Sequence, residues 1–357
     1  SDTEWITNGG FEESDSLTAE LDFAAWDKQA ERYLNRSDGF ASFMLPLQGT
    51  GGGTYESRSP GKIGPFEQGT DGYRKAFASY CGAIQQHLQD KGWLGREYIY
   101  WFDEPEPKDY DFVRAGMDEI RRAGPKLRRM LTEEPIEPLF GSVDLWCPIL
   151  DQYNPEAAQA RQAKGETIWW YVCTGPRAPY PGLFIDHSAI DLRIWLWMTW
   201  KWNVQGILVW ESTYWTSDKA FPAPKMQNPW TDPMGYIGGY SFEPGFVGYW
   251  GNGDGRFLYP PNRDVENDKS KFLSGPVSSI RWEMLREGLE DFEFFWLLRE
   301  AIEKARQAGK HAELMDKASA LLEVGPEIVT DKTHFTQNPQ LLHQRRIAIA
   351  EMIESLR

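Results

Sequence analysis

The sequence predicts an α/β fold, a (β/α)8 TIM-like barrel with a C-terminal helical extension. Two observations support this prediction. Short apolar runs alternate with amphipathic segments over roughly the first 215 residues, and from Pro276 to the end of the chain the pattern is helical. The apolar runs have the length of strands, and most are rich in β-branched or aromatic residues.

Six runs are predicted to be buried strands, and five segments between them are predicted to be helices. The predicted strands are 40–47, 97–103, 127–132, 143–149, 167–173 and 206–211. The predicted helices are 24–34, 72–91, 109–123, 155–164 and 185–202. After Pro276 the pattern predicts a helix of about 25 residues, then helices near 311–322 and 339–356.

The strand count is lower than a closed barrel requires. A barrel of this type has eight strands, and the chain begins almost directly with an extended piece at residues 4–7 before its first helix. We therefore expect the first one or two strands of the barrel to precede Ser1. An open doubly wound sheet is the alternative fold.

Two domains are predicted. Residues 1–275 form the barrel, and residues 276–357 form helices that pack on it. The barrel domain includes a long segment at 212–275 that is dense in Gly, Pro, Trp, Tyr and Asn, which indicates an ordered loop. A loop of this length in a compact domain is usually functional.

The composition argues against several classes of protein. A net charge of −15 argues against nucleic-acid binding, which needs a basic surface, and no apolar run is long enough to span a membrane. Three widely spaced Cys and five His without HxH or HExxH spacing give no support for a metal site, and no cofactor is expected. The 17 Trp suit sugar stacking, although barrel packing also uses Trp.

The strongest chemical signal is the segment YIYWFDEP at residues 98–105, where an apolar strand runs into Asp103 and Glu104. Barrel active sites lie at the carboxyl ends of the strands. Two adjacent buried carboxylates acquire different pKa values, which suits a general acid beside an ionised partner. The alternative is that Asp103 caps the helix that begins near Asp109. The local sequence leaves both interpretations open.

Other aromatic and polar residues near strand ends are candidates for substrate binding: Trp101, Trp146, Tyr153, Asn154, Tyr171, Trp210, Glu211 and Asp254. Trp210 and Glu211 end the last predicted strand, where a stacking ring and a hydroxyl-binding acid are expected in a barrel. Core packing is the alternative for the aromatic residues, and a plain turn is the alternative for Asp254. In the long C-terminal helix, Arg281, Arg286, Glu287 and Asp291 are interpreted as a structural ion network.

Four motifs follow one another in a recognisable order: DEP at 103–105, GILVWES at 206–212, YWGNGDGRFLYP at 249–260 and SIRWEMLREGLEDFEFFWLL at 279–298. Together they resemble the catalytic domain of the family 123 glycoside hydrolases, and the resemblance covers residues 23–357. It implies a barrel catalytic domain, usually preceded by a β-sandwich domain, which would lie outside this chain. It also implies a glycan substrate and an extracellular or periplasmic location.

Characterised members of the family are retaining exo-β-N-acetylgalactosaminidases that use substrate-assisted catalysis, in which the 2-acetamido oxygen of the substrate attacks the anomeric carbon. The resemblance implies that Glu104 is the general acid and later the base, and that Asp103 orients the acetamido N–H. An anion beside that N–H makes the amide oxygen a better nucleophile. The alternatives are a glycosidase for sugars without the acetamido group and a catalytically idle carbohydrate-binding barrel.

Overall fold

A computed structural model of the chain describes residues 7–9, 17–36, 38–54, 58–220, 226–238, 248–263 and 273–357. The extended piece predicted at 4–7 therefore lies outside the described residues, except for Thr7. The helices are α1 (Ala24–Leu34), α2 (Asp71–Asp90), α3 (Tyr110–Ala123), α4 (Pro155–Gln162), α5 (Ile190–Lys201), α6 (Ile280–Ala308), α7 (Met315–Leu321) and α8 (Pro339–Ser355). Each predicted helix is confirmed, and α1 has the predicted bounds.

The strands are short. They are β1 (Thr7–Gly9), β2 (Glu20–Asp22), β3 (Phe43–Met44), β4 (Lys62–Ile63), β5 (Phe66–Glu67), β6 (Glu97–Tyr100), β7 (Arg129–Leu131), β8 (Leu145–Trp146), β9 (Thr167–Tyr171), β10 (Gly206–Leu208), β11 (Met234–Tyr236), β12 (Trp250–Asn252), β13 (Leu258–Tyr259) and β14 (Val277–Ser278).

All six predicted strands are confirmed as members of a parallel sheet with the strand order β3-β6-β7-β8-β9-β10. Each strand lies inside its predicted run and is shorter, because residues near the carboxyl end leave the ladder and turn into loops. Helices lie between consecutive strands in most cases, as a parallel sheet requires. Six parallel strands are present in the described part of the chain, and the closed eight-stranded form stays a prediction.

The chain divides into two compact units, and the division falls inside β9. Unit 1 is Ser1–Pro148 with Asn154–Ile168, and unit 2 is Ile149–Tyr153 with Trp169–Arg357. The predicted division at residue 275, between the barrel and the C-terminal helices, stays a prediction. The C-terminal helices are grouped with the second half of the strand series because α6 packs along α5 and against α8.

In unit 1, helices α2 and α3 pack against each other beside the sheet. Their apolar faces are buried, as Ile84 on α2 and Met117 on α3 show. Thr70 caps α2, since its hydroxyl oxygen accepts the N–H of Tyr73 over 3.1 Å. Helix α2 leads into β6, and α3 connects the loop that follows β6 to β7.

In unit 2, α5 is buried over almost its whole length because its sequence is apolar on every side. The buried Asp291 on α6 accepts hydrogen bonds from Arg193 Nε at 2.6 Å and Trp197 Nε1 at 2.7 Å, both on α5. Arg346 on α8 also binds this carboxylate. Asp291 therefore belongs to a structural ion network, as the sequence indicated.

The segment 212–275 contains more regular structure than the predicted loop. Strands β11 and β12 form an antiparallel pair, and β13 pairs with β14. Strands of two or three residues are too short to show an alternating pattern, which is why the sequence did not reveal them.

Candidate active site

Asp103 follows β6 by three residues and is held from two sides within unit 1. Its backbone N–H donates to the carbonyl oxygen of Gly53 over 3.2 Å. Its Oδ1 accepts the hydroxyl of Thr132 over 3.1 Å and also the hydroxyl of Tyr100. No donor from the described residues reaches Oδ2. The residue is half-buried, and Oδ1 is the oxygen that the two hydroxyls fix.

Glu104 is exposed, and its backbone adopts an unusual conformation. Its φ is +44°, a left-handed value that is uncommon for a residue other than glycine. Its N–H donates to Thr132 Oγ1 over 2.8 Å, and the buried Pro105 follows it. The Thr132 hydroxyl thus connects both acids. Strain of this kind often occurs at functional residues that the surrounding structure holds in place.

A second pair of acids, Glu133 and Glu134, ends the neighbouring strand. Strands β6 and β7 are parallel, with Ile99 opposite Arg129. The same register continued beyond the ladder places the TEEP segment at 132–135 beside the FDEP segment at 102–105. The sequence analysis missed this pair. The signal that could have found it is the repeat of two acids and a proline after two successive apolar strands.

Electrostatic effects couple the two pairs of acids. Burial raises the pKa of Glu133 well above its usual range, and a side-chain hydrogen bond to Glu134 and the negative charges of Glu134 and Glu104 act in the same direction. Burial, followed by the charges of Glu133 and Glu134, raises the pKa of Tyr110 to about 12. Glu133 therefore keeps a proton at pH values where an ordinary glutamate is ionised.

Burial and a neighbouring negative charge also raise the pKa of Tyr100, the tyrosine beside Asp103. Burial raises the pKa of Tyr100 strongly, and the charge of Asp103 and their hydrogen bond raise it further. Tyr100 therefore keeps its proton and remains an O–H donor to Asp103. The cluster formed by Asp103, Glu104, Glu133 and Glu134 thus contains one carboxylate with fixed donors and one carboxyl that retains its proton.

Three predicted binding residues of unit 1 have structural contacts away from these acids. Trp101 packs against Phe112, with ring centroids 5.5 Å apart, and its Nε1 donates to the carbonyl oxygen of Gly51 over 3.1 Å. Trp146 is fully buried, and its Nε1 donates to Glu166 over 2.6 Å. Asn154 caps α4, because its Oδ1 accepts the N–H of Ala157 over 3.0 Å.

The other predicted binding residues belong to unit 2. Tyr153 is buried, and its hydroxyl donates to the carbonyl oxygen of Trp202 over 3.2 Å. Tyr171 ends β9 opposite Leu208 and is also buried. Glu211 is half-buried, and its Oε1 accepts the N–H of Thr213 over 2.8 Å.

Trp210 and Asp254 are brought together, although 44 positions separate them in the sequence. Trp210 Nε1 donates to Asp254 Oδ1 over 3.0 Å. The Trp210 side chain is 41% exposed, whereas Asp254 is 0% exposed. Trp210 therefore offers a ring surface to a ligand, and Asp254 contributes no surface of its own.

The described residues contain no group of three or more His, Cys, Asp or Glu side chains arranged to hold a metal ion. Within the same residues, no helix is long and apolar enough to cross a membrane.

Comparisons with known proteins agree with the arrangement of the strands. A sequence model described as "Glycoside hydrolase 123, catalytic domain" matches residues 54–298, which contain all four motifs quoted above. The fold is similar to the solved structure of a family 123 glycoside hydrolase from Clostridium perfringens, determined to examine glycolipid glycan hydrolysis, with a TM-score of 0.53 and 17% identity. That alignment covers 96% of this chain and 56% of the other, so this chain spans little more than half the length of that protein.

A second solved structure, from Silicibacter pomeroyi DSS-3 and provisionally assigned as a glycerophosphoryl diester phosphodiesterase, is 15% identical over 54% of each chain. Its TM-score of 0.29 is too low to indicate a shared fold. No curated protein matches the sequence.

Proposed function

The chain belongs to the glycoside hydrolase 123 catalytic-domain family, and on this basis we propose that it is a retaining exo-β-N-acetylgalactosaminidase. In this proposal the 2-acetamido oxygen of a terminal β-linked GalNAc attacks the anomeric carbon, and no enzyme carboxylate forms a covalent intermediate. Asp103 orients the acetamido N–H. Glu104 first protonates the leaving oxygen and then activates water.

The observation that carries the proposal is the asymmetric environment of Asp103. Its Oδ1 is bound by the hydroxyls of Thr132 and Tyr100, whereas Oδ2 receives no donor from the described residues. An amide N–H of a substrate suits an oxygen that is fixed in position and still has acceptor capacity. Held in this way, Asp103 is also positioned to stabilise an oxazolinium-like cation.

The exposure of Glu104 supports the role of proton donor and base. A general acid must reach the leaving oxygen and later a water molecule, and Glu104 is the exposed member of the pair. The backbone bond from Glu104 N–H to Thr132 fixes its position relative to Asp103.

In unit 2, we propose that the exposed ring of Trp210 contacts a sugar. We also propose that Tyr171 and Glu211 form hydrogen bonds with the sugar. The structural neighbour from Clostridium perfringens was studied for glycolipid glycan hydrolysis, so a glycolipid glycan is a reasonable natural substrate to test. Trp146 and Tyr153 are buried, so their structural contacts replace the proposed contact with substrate. Trp101 and Asn154 remain proposed binding residues.

The function is tested with a panel of aryl β-glycosides of GalNAc, GlcNAc, Gal and Glc on wild type, Asp103→Asn and Glu104→Gln. We expect the GalNAc substrate to be favoured, and we expect Glu104→Gln to lose activity by about 10²–10⁴-fold, the usual contribution of a general acid. Circular dichroism of each variant controls for folding.

Each alternative has its own outcome in this panel. Equal rates on Gal and GalNAc would favour a glycosidase that does not use the acetamido group. No hydrolysis of any member, together with measurable sugar binding, would favour an idle carbohydrate-binding domain. Full activity of Glu104→Gln would rule out its role as the acid.

A further inference from the structure

Asp254 lies in the motif YWGNGDGRFLYP and is bound by two aromatic side chains of unit 2. Trp210 Nε1 donates to Oδ1 over 3.0 Å, and the hydroxyl of Tyr236 donates to Oδ2 over 3.3 Å. Asp254 is 0% exposed, so it cannot bind sugar hydroxyls as the sequence suggested. Its two oxygens are instead used to hold two rings.

A buried arginine fixes the turn that carries Asp254. Arg281 is almost fully buried and donates to the carbonyl oxygens of Gly253 at 2.8 Å and Arg256 at 2.6 Å, one on each side of Asp254. Burial raises the pKa of Asp254 to about 6, although the hydrogen bonds from Trp210 and Tyr236 and the charge of Arg281 lower it. The carboxylate is therefore a rigid acceptor, held in place by the protein rather than by solvent.

The ring of Trp210 is supported by its neighbours and still exposes much of its surface. Tyr214 contacts it edge-on, with centroids 5.2 Å apart. Gly255 has φ +67°, and a Cβ atom there would lie 2.9 Å from Trp210 Cζ2, so the turn backs directly onto the ring. Despite these contacts 41% of Trp210 is exposed, and an apolar surface of that size in water favours a ligand with an apolar face.

The second ring bound by Asp254 is also fixed. Tyr236 stacks on Trp250, with centroids 4.5 Å apart and an interplanar angle of 24°. Asp254 thus joins the end of β10, which leads to Trp210, with the β11–β12 pair, which carries Tyr236 and Trp250.

We propose that Asp254 is a positioning residue that holds Trp210 and Tyr236 in the orientation in which they bind the apolar face of a pyranose ring. The identity of the sugar rests on the proposed function, but the role of Asp254 does not. Trp210 contacts the ligand, and Asp254 acts only through the two rings.

The test is the binding of methyl β-N-acetylgalactosaminide to the full chain by titration calorimetry, in the Glu104→Gln background, which keeps a sugar intact. Asp254→Leu keeps the branched outline of the side chain and removes both acceptors, and we expect Kd to rise about three- to tenfold, the equivalent of one or two hydrogen bonds. Asp254→Asn keeps an oxygen for the indole N–H, so we expect it to bind within about twofold of the parent.

A substitution of the exposed Trp210 ring tests the same hydrogen bond in case Asp254→Leu does not fold. Trp210→Phe retains an aromatic ring and lacks the N–H, so we expect a similar rise in Kd of about three- to tenfold. In the Trp210→Phe background, Asp254→Leu should weaken binding by less than it does in the parent, because only the bond to Tyr236 then remains to be lost. A merely structural role of Asp254 would give additive effects.

Binding of Asp254→Leu or Trp210→Phe as tight as that of the parent would overturn the proposal, as would additive effects of the two changes. No binding to the parent would overturn it as well. The proposed function is judged separately. If wild type hydrolyses GalNAc glycosides and Trp210→Phe binds the sugar as tightly as the parent, only the positioning role of Asp254 is contradicted. Binding that depends on Trp210 without any hydrolysis by wild type contradicts only the function.

Discussion

The hydroxyl of Thr132 donates to Asp103 Oδ1 over 3.1 Å, and it links the ends of two adjacent parallel strands. The same oxygen accepts the N–H of Glu104 over 2.8 Å. One side chain thus sets the position of the acceptor and of the proton donor in the proposed reaction.

Replacement of Thr132 by valine removes this hydroxyl and keeps the shape of the side chain. Asp103 loses one of its two donors, and a hydrogen bond to a charged group contributes about 1.5–3 kcal/mol. We expect kcat on an aryl β-GalNAc to fall about 10–100-fold. Thr132→Ser retains the hydroxyl and serves as the control. A Thr132→Val enzyme with the kcat of wild type would show that this bond does not position Asp103.

The backbone conformation of Glu104 predicts that a residue better suited to a left-handed φ raises the free energy of unfolding. Its φ of +44° is unfavourable for glutamate, whereas asparagine adopts left-handed values readily. We expect Glu104→Asn to raise the free energy of unfolding by about 0.5–1 kcal/mol relative to Glu104→Gln. Both variants lack the acid, so urea denaturation compares the backbone preference alone. Equal stabilities would indicate that the position stores no strain.

The raised pKa of Glu133 predicts a pH-dependent cost to stability. Above pH 4.5, the ordinary pKa of this side chain, Glu133 loses its proton in the unfolded chain but keeps it in the folded protein. The free energy of unfolding therefore falls as pH rises towards the pKa of Glu133 in the folded state. Glu133→Gln does not titrate. We therefore expect it to become more stable than wild type as pH increases from about 4.5 to about 8.

Urea denaturation at several pH values measures this effect, and the exposed Glu137→Gln is the control in the same loop. A stability difference between Glu133→Gln and wild type that does not change with pH would mean that Glu133 ionises normally.

How much of this arrangement the sequence could predict depends on the range of the interactions. The strands were predictable because their runs are buried and local, and the position of Asp103 and Glu104 follows from the end of such a run. The family resemblance is confirmed, since the family match includes all four motifs. The pair at Glu133 and Glu134 was equally visible in the sequence and was overlooked.

Side-chain directions beyond the ladder could not be predicted in this way. Trp146 lies at a strand end as expected, yet it turns into the core to bind Glu166. The burial of Asp254 depends on Trp210 and Tyr236, which approach it from other segments of the chain. Such contacts are set by tertiary packing, which neither periodicity nor local motifs report.

The ion network on α6 predicts that removal of the Asp291 carboxylate lowers the free energy of unfolding strongly. Asp291 has no proposed role in the chemistry. Asp291 is 2% exposed and binds both Arg193 and Arg346. Replacement by alanine leaves the buried Arg193 without its carboxylate, at a cost of about 3–5 kcal/mol. Glu293→Ala, at an exposed position of the same helix, should change stability by less than about 0.5 kcal/mol. Thermal and urea denaturation measure both, and comparable small losses would contradict the structural role.

The central claim is that the substrate supplies the nucleophile while Asp103 orients it. The most direct measurement is the kcat/KM of wild type on aryl β-GalNAc substrates whose acetyl group carries zero, one, two or three fluorine atoms. Fluorine withdraws electrons from the amide oxygen, so the account predicts that kcat/KM falls with each added fluorine. Values that do not depend on fluorination would contradict it, because the acetamido oxygen would then take no part in the rate-limiting attack.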